Sequence, residues 1–153
     1  MELPEFKNVY NKSGESLLPH RPPFLFVDTL ISSDETGALG EYTFTAEKND
    51  FFKGHFPDYP VVPGVVLVEA MAQVAGAGIV ANGFLGGEGK EATFLLAAIE
   101  DARFRKPVRP GDKLVTVAEF VRVRKPLAMM KLKGYVDGSL VCDCSVKCML
   151  GEK

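Results

Sequence analysis

Histidine, cysteine and net charge are all scarce in this 153-residue chain, which has two histidines, three cysteines and a formal net charge of -2. Near-neutrality argues against a nucleic-acid binder, which is usually basic overall. Cys142, Cys144 and Cys148 all lie in one C-terminal segment. An odd count at near-neighbour spacing, with no secretory signal, argues against a disulfide framework. A metal site there lacks both neighbouring histidines and the usual ligand spacing. The three thiols instead share parity with Val146 and Leu150, while Asp143, Ser145 and Lys147 alternate with them. That is the period of a half-buried strand, with cysteine as a small core residue. The segment from Met1 to Lys12 has no basic start followed by an apolar stretch, so no signal peptide is expected and the expected compartment is the cytoplasm. Low-complexity tracts and internal repeats are missing as well.

What remains is ordinary globular material, 46% apolar and 25% charged. A chain of this length is expected to form a single domain, residues 1–153 with a variable lead-in over 1–16, burying roughly 70% of its unfolded surface. The longest apolar stretch, Val61 to Ala81, approaches membrane-spanning length. It contains Pro63, Glu69, Gln73 and three glycines and has no flanking cluster of positive charge, so it reads as a buried core helix.

Met1 to Ser16 reads as a poorly ordered or short helical lead-in. Phe24 to Ile31 and Gly40 to Thr45 read as strands joined by the polar turn Ser32 to Gly37. A loop with Gly54, Pro57 and Pro60 leads to a helix that starts at Pro63 or Gly64, where proline is tolerated, and ends at Asn82-Gly83. Beyond Thr93 the pattern alternates, with strands over Thr93 to Phe104, Lys113 to Arg124, Ala128 to Val136 and Leu140 to Leu150. The last two are joined at the hairpin signal Asp137-Gly138. One helix, apolar on nearly every face, and five or six mostly antiparallel strands predict an α+β fold, with a curved sheet wrapped around the helix.

The chemistry concentrates between His55 and Gln73. Histidine can take and return a proton near neutral pH. Glu69 lies about one and a half turns into the helix, among apolar neighbours that leave it little solvated face. Gln73 follows at i,i+4, where it could orient the carboxylate. The first backbone N–H groups of the helix, at Gly64 and Val65, have no intrahelical partner and favour negative charge. A base, a carboxyl group and an anion-stabilising helix end suit proton abstraction beside a thioester carbonyl. Blander readings stand beside this one: a satisfied loop histidine at His55, a structural ion pair at Glu69, and a structural role for His20 among its prolines.

Leu18-Pro19-His20-Arg21, Pro23-Phe24-Leu25, Val27-Asp28, Gly54-His55-Phe56-Pro57, Pro60-Val61-Val62-Pro63-Gly64-Val65 and Glu69-Ala70-Met71-Ala72-Gln73 together resemble the β-hydroxyacyl-(acyl carrier protein) dehydratases of the FabZ type. The resemblance continues through Ile99 to Val108 and Pro110-Gly111-Asp112, in order from about Leu17 to Leu150. It implies a hot-dog fold and a homodimer, assembling further into a homohexamer as a trimer of dimers. The site would pair His55 of one subunit with Glu69 of the other along a thioester tunnel. His55 would take the α-proton of a 3-hydroxyacyl thioester, Glu69 would protonate the departing β-hydroxyl, and the Gly64 N–H would polarise the carbonyl. Val65, Gln73 and Phe56 would complete the substrate site, and no metal or organic cofactor would be needed. Departures at Pro22, where an aromatic residue is usual, at Ala98, where glycine is, and around Phe94, where tyrosine is, bear on tunnel shape. Glutamate rather than aspartate at position 69 points to the branch that dehydrates without isomerising.

The substrate would arrive on the phosphopantetheine arm of an acidic acyl carrier protein. Arg103, Arg105, Lys106 and Arg109 are candidate contacts for it, with Arg122, Arg124 and Lys125 as a second basic group. Any single one of these reads equally as part of a solvated strand face. Competing functions are a hot-dog thioesterase, in which Glu69 activates water or attacks the carbonyl, a specialised polyene or polyketide dehydratase, and a catalytically silent acyl-binding subunit.

Overall fold

The computed structural model describes residues 2–85 and 92–152, so Met1 and Lys153, the outermost residues of the expected lead-in and domain, lie outside the described residues. Seven strands, β1 (Asn8–Ser13), β2 (Thr29–Asp34), β3 (Gly37–Thr43), β4 (Ala92–Phe104), β5 (Lys113–Arg124), β6 (Leu127–Val136) and β7 (Ser139–Glu152), form one sheet in the order β1-β2-β3-β5-β6-β7-β4. Every pairing is antiparallel. The helix α2 (Gly64–Ala81) packs against β2, β3, β5, β6 and β7, so the sheet curves around it. A single helical turn, α1 (Gly14–Leu17), follows β1.

The helix is where it is because it has almost no polar face to offer water. Leu67, Val68, Met71, Val74 and Ile79 are buried together with Ala75, Gly76, Ala77 and Gly78. The small residues let helix and sheet approach closely: a Cβ at Gly78 would lie 2.6 Å from that of Ala38. By length and composition alone α2 could cross a membrane, but 67% of it is buried inside the fold, as expected of a core helix. Gly83, at φ +76, ends it in the left-handed conformation that glycine takes without penalty.

The strong period-2 segments become strands nearly as the sequence predicts. Cys142, Cys144, Val146, Cys148 and Leu150 alternate as the buried face of β7. The β6–β7 turn has positive φ at both Asp137 and Gly138, the geometry that matches the twist of a hairpin.

Two sequence expectations are corrected. The lead-in is neither disordered nor simply helical, because residues 8–13 form β1 against β2. Tyr10 reaches from it to donate its hydroxyl to Ala81 O at 3.0 Å, satisfying a carbonyl at the end of α2. The strand expected over Phe24 to Ile31 begins only at Thr29. Ahead of it, the backbone at Phe24 and Phe26 is satisfied by a helix side chain, Gln73, rather than by a neighbouring strand.

An aromatic cluster reaches from the sheet to the loop that leads to His55. Tyr42 packs edge-on against Phe26 and Phe44, at centroid distances of 5.7 and 4.8 Å, and Phe44 continues to Phe51. Buried Asn49 accepts from Thr45 N at 3.0 Å and donates to the Tyr42 hydroxyl at 3.1 Å, which fixes the start of the loop.

Candidate active site

His55 is held by backbone. Its N–H donates to Phe51 O and its carbonyl accepts from Val61 N, both at 2.9 Å. The ring Nδ1 is 2.9 Å from Val61 O. A carbonyl oxygen can only accept, so in the neutral ring Nδ1 carries the proton and Nε2 keeps its lone pair. The ring stacks on exposed Phe56 at 4.3 Å. Val62 N donates to Val108 O at 2.8 Å, tying this loop to the segment after β4.

The loop delivers the chain to the N-terminus of α2. Val66 N and Leu67 N both donate to Pro63 O, at 2.9 and 3.2 Å. Gly64 N–H and Val65 N–H have no acceptor among the described residues, and no side chain caps the helix. A cleft of about 590 Å³ opens here, lined by His55, Gly64, Val65, Phe104, Arg105 and Lys106 among others. A Cβ at Gly64 would lie 2.9 Å from the Phe104 ring, so glycine lets that ring close over the helix end.

Glu69 and Gln73 do not line this cleft. They border a separate, small cavity of about 20 Å³ with His20, Phe94, Leu96 and Cys148. Gln73 is anchored by the chain it supports: its Oε1 accepts from Phe26 N at 2.7 Å and its Nε2 donates to Phe24 O at 3.1 Å. These two bonds fix which end of the amide is which, so the remaining N–H is aimed at Glu69 Oε2, 2.8 Å away. His20 Nε2 approaches the same oxygen at 3.8 Å. Burial, more than the opposing pull of Glu69, lowers the His20 pKa, with Arg21 lowering it further.

The two comparisons that bear on family agree. A FabA-like domain model matches residues 18–145. The 3-hydroxyacyl-(acyl-carrier-protein) dehydratase FabZ of Listeria welshimeri is 40% identical over 141 residues, covering 92% of this chain and 95% of that one. The chain belongs to the FabA-like family. The FabZ dehydratase of Bacillus cereus is 39% identical over 140 residues, covering 91% of this chain and 94% of its own. In fold, a chain of the ApeI:P dehydratase heterocomplex of Xenorhabdus doucetiae superposes with a TM-score of 0.77 at 15% identity, covering 93% of each chain. The architecture is the hot-dog fold.

Within this FabA-like chain, the basic residues near the cleft divide into paired and unpaired. Arg105 is bonded to Asp143 through Nε at 2.9 Å and Nη2 at 2.8 Å. Arg109 donates to the Tyr59 hydroxyl at 2.8 Å and stacks over its ring at 4.6 Å. Arg103 and Lys106 are exposed and make no ion pair among the described residues. The three thiols face the core, where burial pushes Cys142 up to about 12 and Cys144 and Cys148 up to about 11. The nearby Glu69 charge adds to the effect on Cys148.

The residue that sequence reasoning passed over is His20. Its proline frame explains a rigid turn, and nothing in the local pattern says that the ring meets a helix more than forty positions away. The available signal was indirect: α2 offers a carboxylate with few polar neighbours of its own, so some distant polar group had to face it.

Proposed function

We propose that this chain is a 3-hydroxyacyl-(acyl carrier protein) dehydratase of fatty-acid biosynthesis, a hydro-lyase that forms trans-2-enoyl thioesters and water. Family membership together with near-full-length identity to curated FabZ enzymes supports the reaction. The observation that carries the mechanism is a histidine with a free Nε2 lone pair bordering the same cleft as two unpartnered N–H groups at a helix end.

In this reading His55 Nε2 takes the α-proton of the substrate. The developing enolate oxygen is stabilised by Gly64 N–H and the positive end of α2, with Val65 beside it. The electron pair of the broken Cα–H bond forms the double bond as the Cβ–O bond breaks. Glu69 supplies the proton with which the hydroxyl departs as water, and Gln73 orients that carboxyl. Phe56 backs the His55 ring and borders the acyl chain. No step calls on a metal or organic cofactor.

The site is completed between two chains. His55 and Glu69 border different cavities of one protomer. β4 is an edge of the described sheet and exposes Leu95 at 65%, Ile99 at 47% and Phe104 at 51%. An open apolar edge of this kind favours pairing with a second copy. Phe104 borders the His55 cleft and Leu96 the Glu69 cavity, so edge-to-edge pairing of β4 sets the base of one subunit near the acid of the other. Further assembly gives a trimer of dimers. The carrier protein docks by charge at Arg103 and Lys106, with Arg105 and Arg109 shaping the entrance, and the protein works in the cytoplasm as one domain.

The test is turnover of a 3-hydroxyacyl carrier-protein thioester, followed by enoyl absorbance and by free thiol release. Enoyl formation that is lost separately in His55→Ala and Glu69→Gln is expected. Thiol release without enoyl product would make the chain a thioesterase, and wild-type turnover in both variants would sink the site assignment.

A further inference from the structure

We infer that His20 is a positioning residue for the Glu69 carboxyl, a neutral imidazole whose Nε2–H shares Oε2 with the Gln73 amide and leaves Oε1 open to substrate. The inference rests on the reading of Glu69 as the proton donor of the reaction.

The ring has little freedom. Leu18, 1% exposed, anchors the chain before it. Arg21 donates through Nη1 to Leu18 O at 2.9 Å and to His20 O at 2.6 Å, bracing the turn on both sides of the ring. The imidazole lies nearly parallel to Phe94, with centroids 6.5 Å apart. Its two nitrogens see different surroundings. Nδ1 is buried and meets no hydrogen-bond partner among the described residues. Nε2 faces a carboxylate oxygen 3.8 Å away.

That asymmetry selects a tautomer. A proton on Nδ1 would be a buried N–H with no acceptor, and a bare Nε2 would set a lone pair against Oε2, the oxygen that already acts as acceptor toward the Gln73 amide. A proton on Nε2 removes the clash of acceptors and leaves at Nδ1 an unpaired lone pair in place of a stranded N–H, the rarer and costlier of the two. Burial keeps the ring from taking a second proton, in spite of Glu69.

Two donors therefore converge on one oxygen. Gln73 reaches Oε2 at 2.8 Å from one side and His20 approaches it from another, while Oε1 has no partner among the described residues. The His20 distance is beyond a hydrogen bond in the empty site. Such contacts are commonly long before substrate binds and tighten when the pocket fills. A carboxyl held by two neutral donors is fixed in rotation without being tied up as an ion pair, so its free oxygen stays available to the β-hydroxyl.

Two variants separate positioning from filling. His20→Phe keeps an aromatic ring against Phe94 and removes the donor, whereas His20→Gln loses the ring and keeps a donor within reach. With the dimeric enzyme and a 3-hydroxyacyl carrier-protein substrate, His20→Phe is expected to lose about tenfold in kcat at nearly unchanged KM, the scale of one hydrogen bond. His20→Gln should recover to within about threefold of wild type. Wild-type kcat in His20→Phe, or equal losses in both variants, overturns the inference. If His20→Phe does not fold, nitrogen NMR of the wild-type ring decides: a bare Nδ1 and protonated Nε2 at neutral pH support it, and the opposite tautomer overturns it. Glu69→Gln is measured alongside. Full activity there removes the underlying reading of Glu69 and the inference with it, whereas an inactive Glu69→Gln beside a fully active His20→Phe removes the inference alone.

Discussion

The two halves of the site are built from different materials. On the His55 side the backbone does the holding: Val61 O fixes the ring, Phe51 O and Val61 N fix the loop, and the unpartnered N–H groups of Gly64 and Val65 face a wide cleft. On the Glu69 side, side chains do it. Gln73 reaches the carboxyl, His20 faces it, and Phe94, Leu96 and Cys148 line the cavity beside it. Backbone groups cannot be mutated away, so the first half depends on one side chain above all. The second half spreads its dependence over several, and conservative changes there should show.

That contrast can be broken at its strongest point first. In the proposed reaction, His55→Ala removes the sole side chain that the backbone-built half contributes to proton transfer, and about 10²- to 10⁴-fold in kcat is expected to go with it. Tm should barely change, since the ring is partly exposed. A large stability loss with intact turnover would reverse the assignment of this half.

A smaller effect of mixed character is expected at Gln73. Gln73→Leu strands the buried Phe26 N–H and loosens Glu69 together, because one amide serves both. Urea unfolding should show a loss of about 1–3 kcal/mol, the cost of leaving a buried polar group unmet. Turnover should fall in the same variant. Loss of stability without loss of turnover would mean that the side-chain scaffold supports the chain crossing at Phe24 to Phe26 and not the carboxyl.

The smallest expected effect is none at all. Cys148 borders the Glu69 cavity, yet its thiol is pushed up to about 11, with Cys144 at about 11 and Cys142 at about 12. Raised values mean that each thiol stays protonated well above its ordinary pKa, and that the fold loses this contribution to stability as pH climbs toward them. At pH about 8 a thiolate-directed reagent should label none of the three in the native protein and all three after unfolding. Rapid native labelling of Cys148 would show that the cavity opens far beyond its volume of about 20 Å³.

Legibility in the sequence followed how local each feature is. The strand at Lys113–Arg124, the turn at Asp137-Gly138 and the helix Gly64–Ala81 follow from periodicity and turn chemistry within a few residues. So does the contact between Gln73 and Glu69, which a helix forces at i,i+4. β1 was hidden because five of its six residues are exposed, and its pairing rests on a distant edge and on Tyr10 reaching the end of α2. The start of β2 was misplaced because a glutamine side chain stands in for a neighbouring strand at Phe24 and Phe26. His20 reads as structural in the sequence for the same reason: its partners, Phe94 and Glu69, lie on other elements, and no spacing along the chain encodes that meeting.

Above both halves stands the claim that they meet only between subunits, and mixing two inactive variants tests it directly. His55→Ala and Glu69→Gln chains are refolded or co-expressed together, and dehydration is compared with each variant alone. A site shared across the dimer gives every mixed dimer one intact pair, so activity should return to about a quarter of wild type for random association. Mixtures as inactive as the separate variants, with mixed dimers shown to be present, would place His55 and Glu69 in the same chain's site and contradict the account.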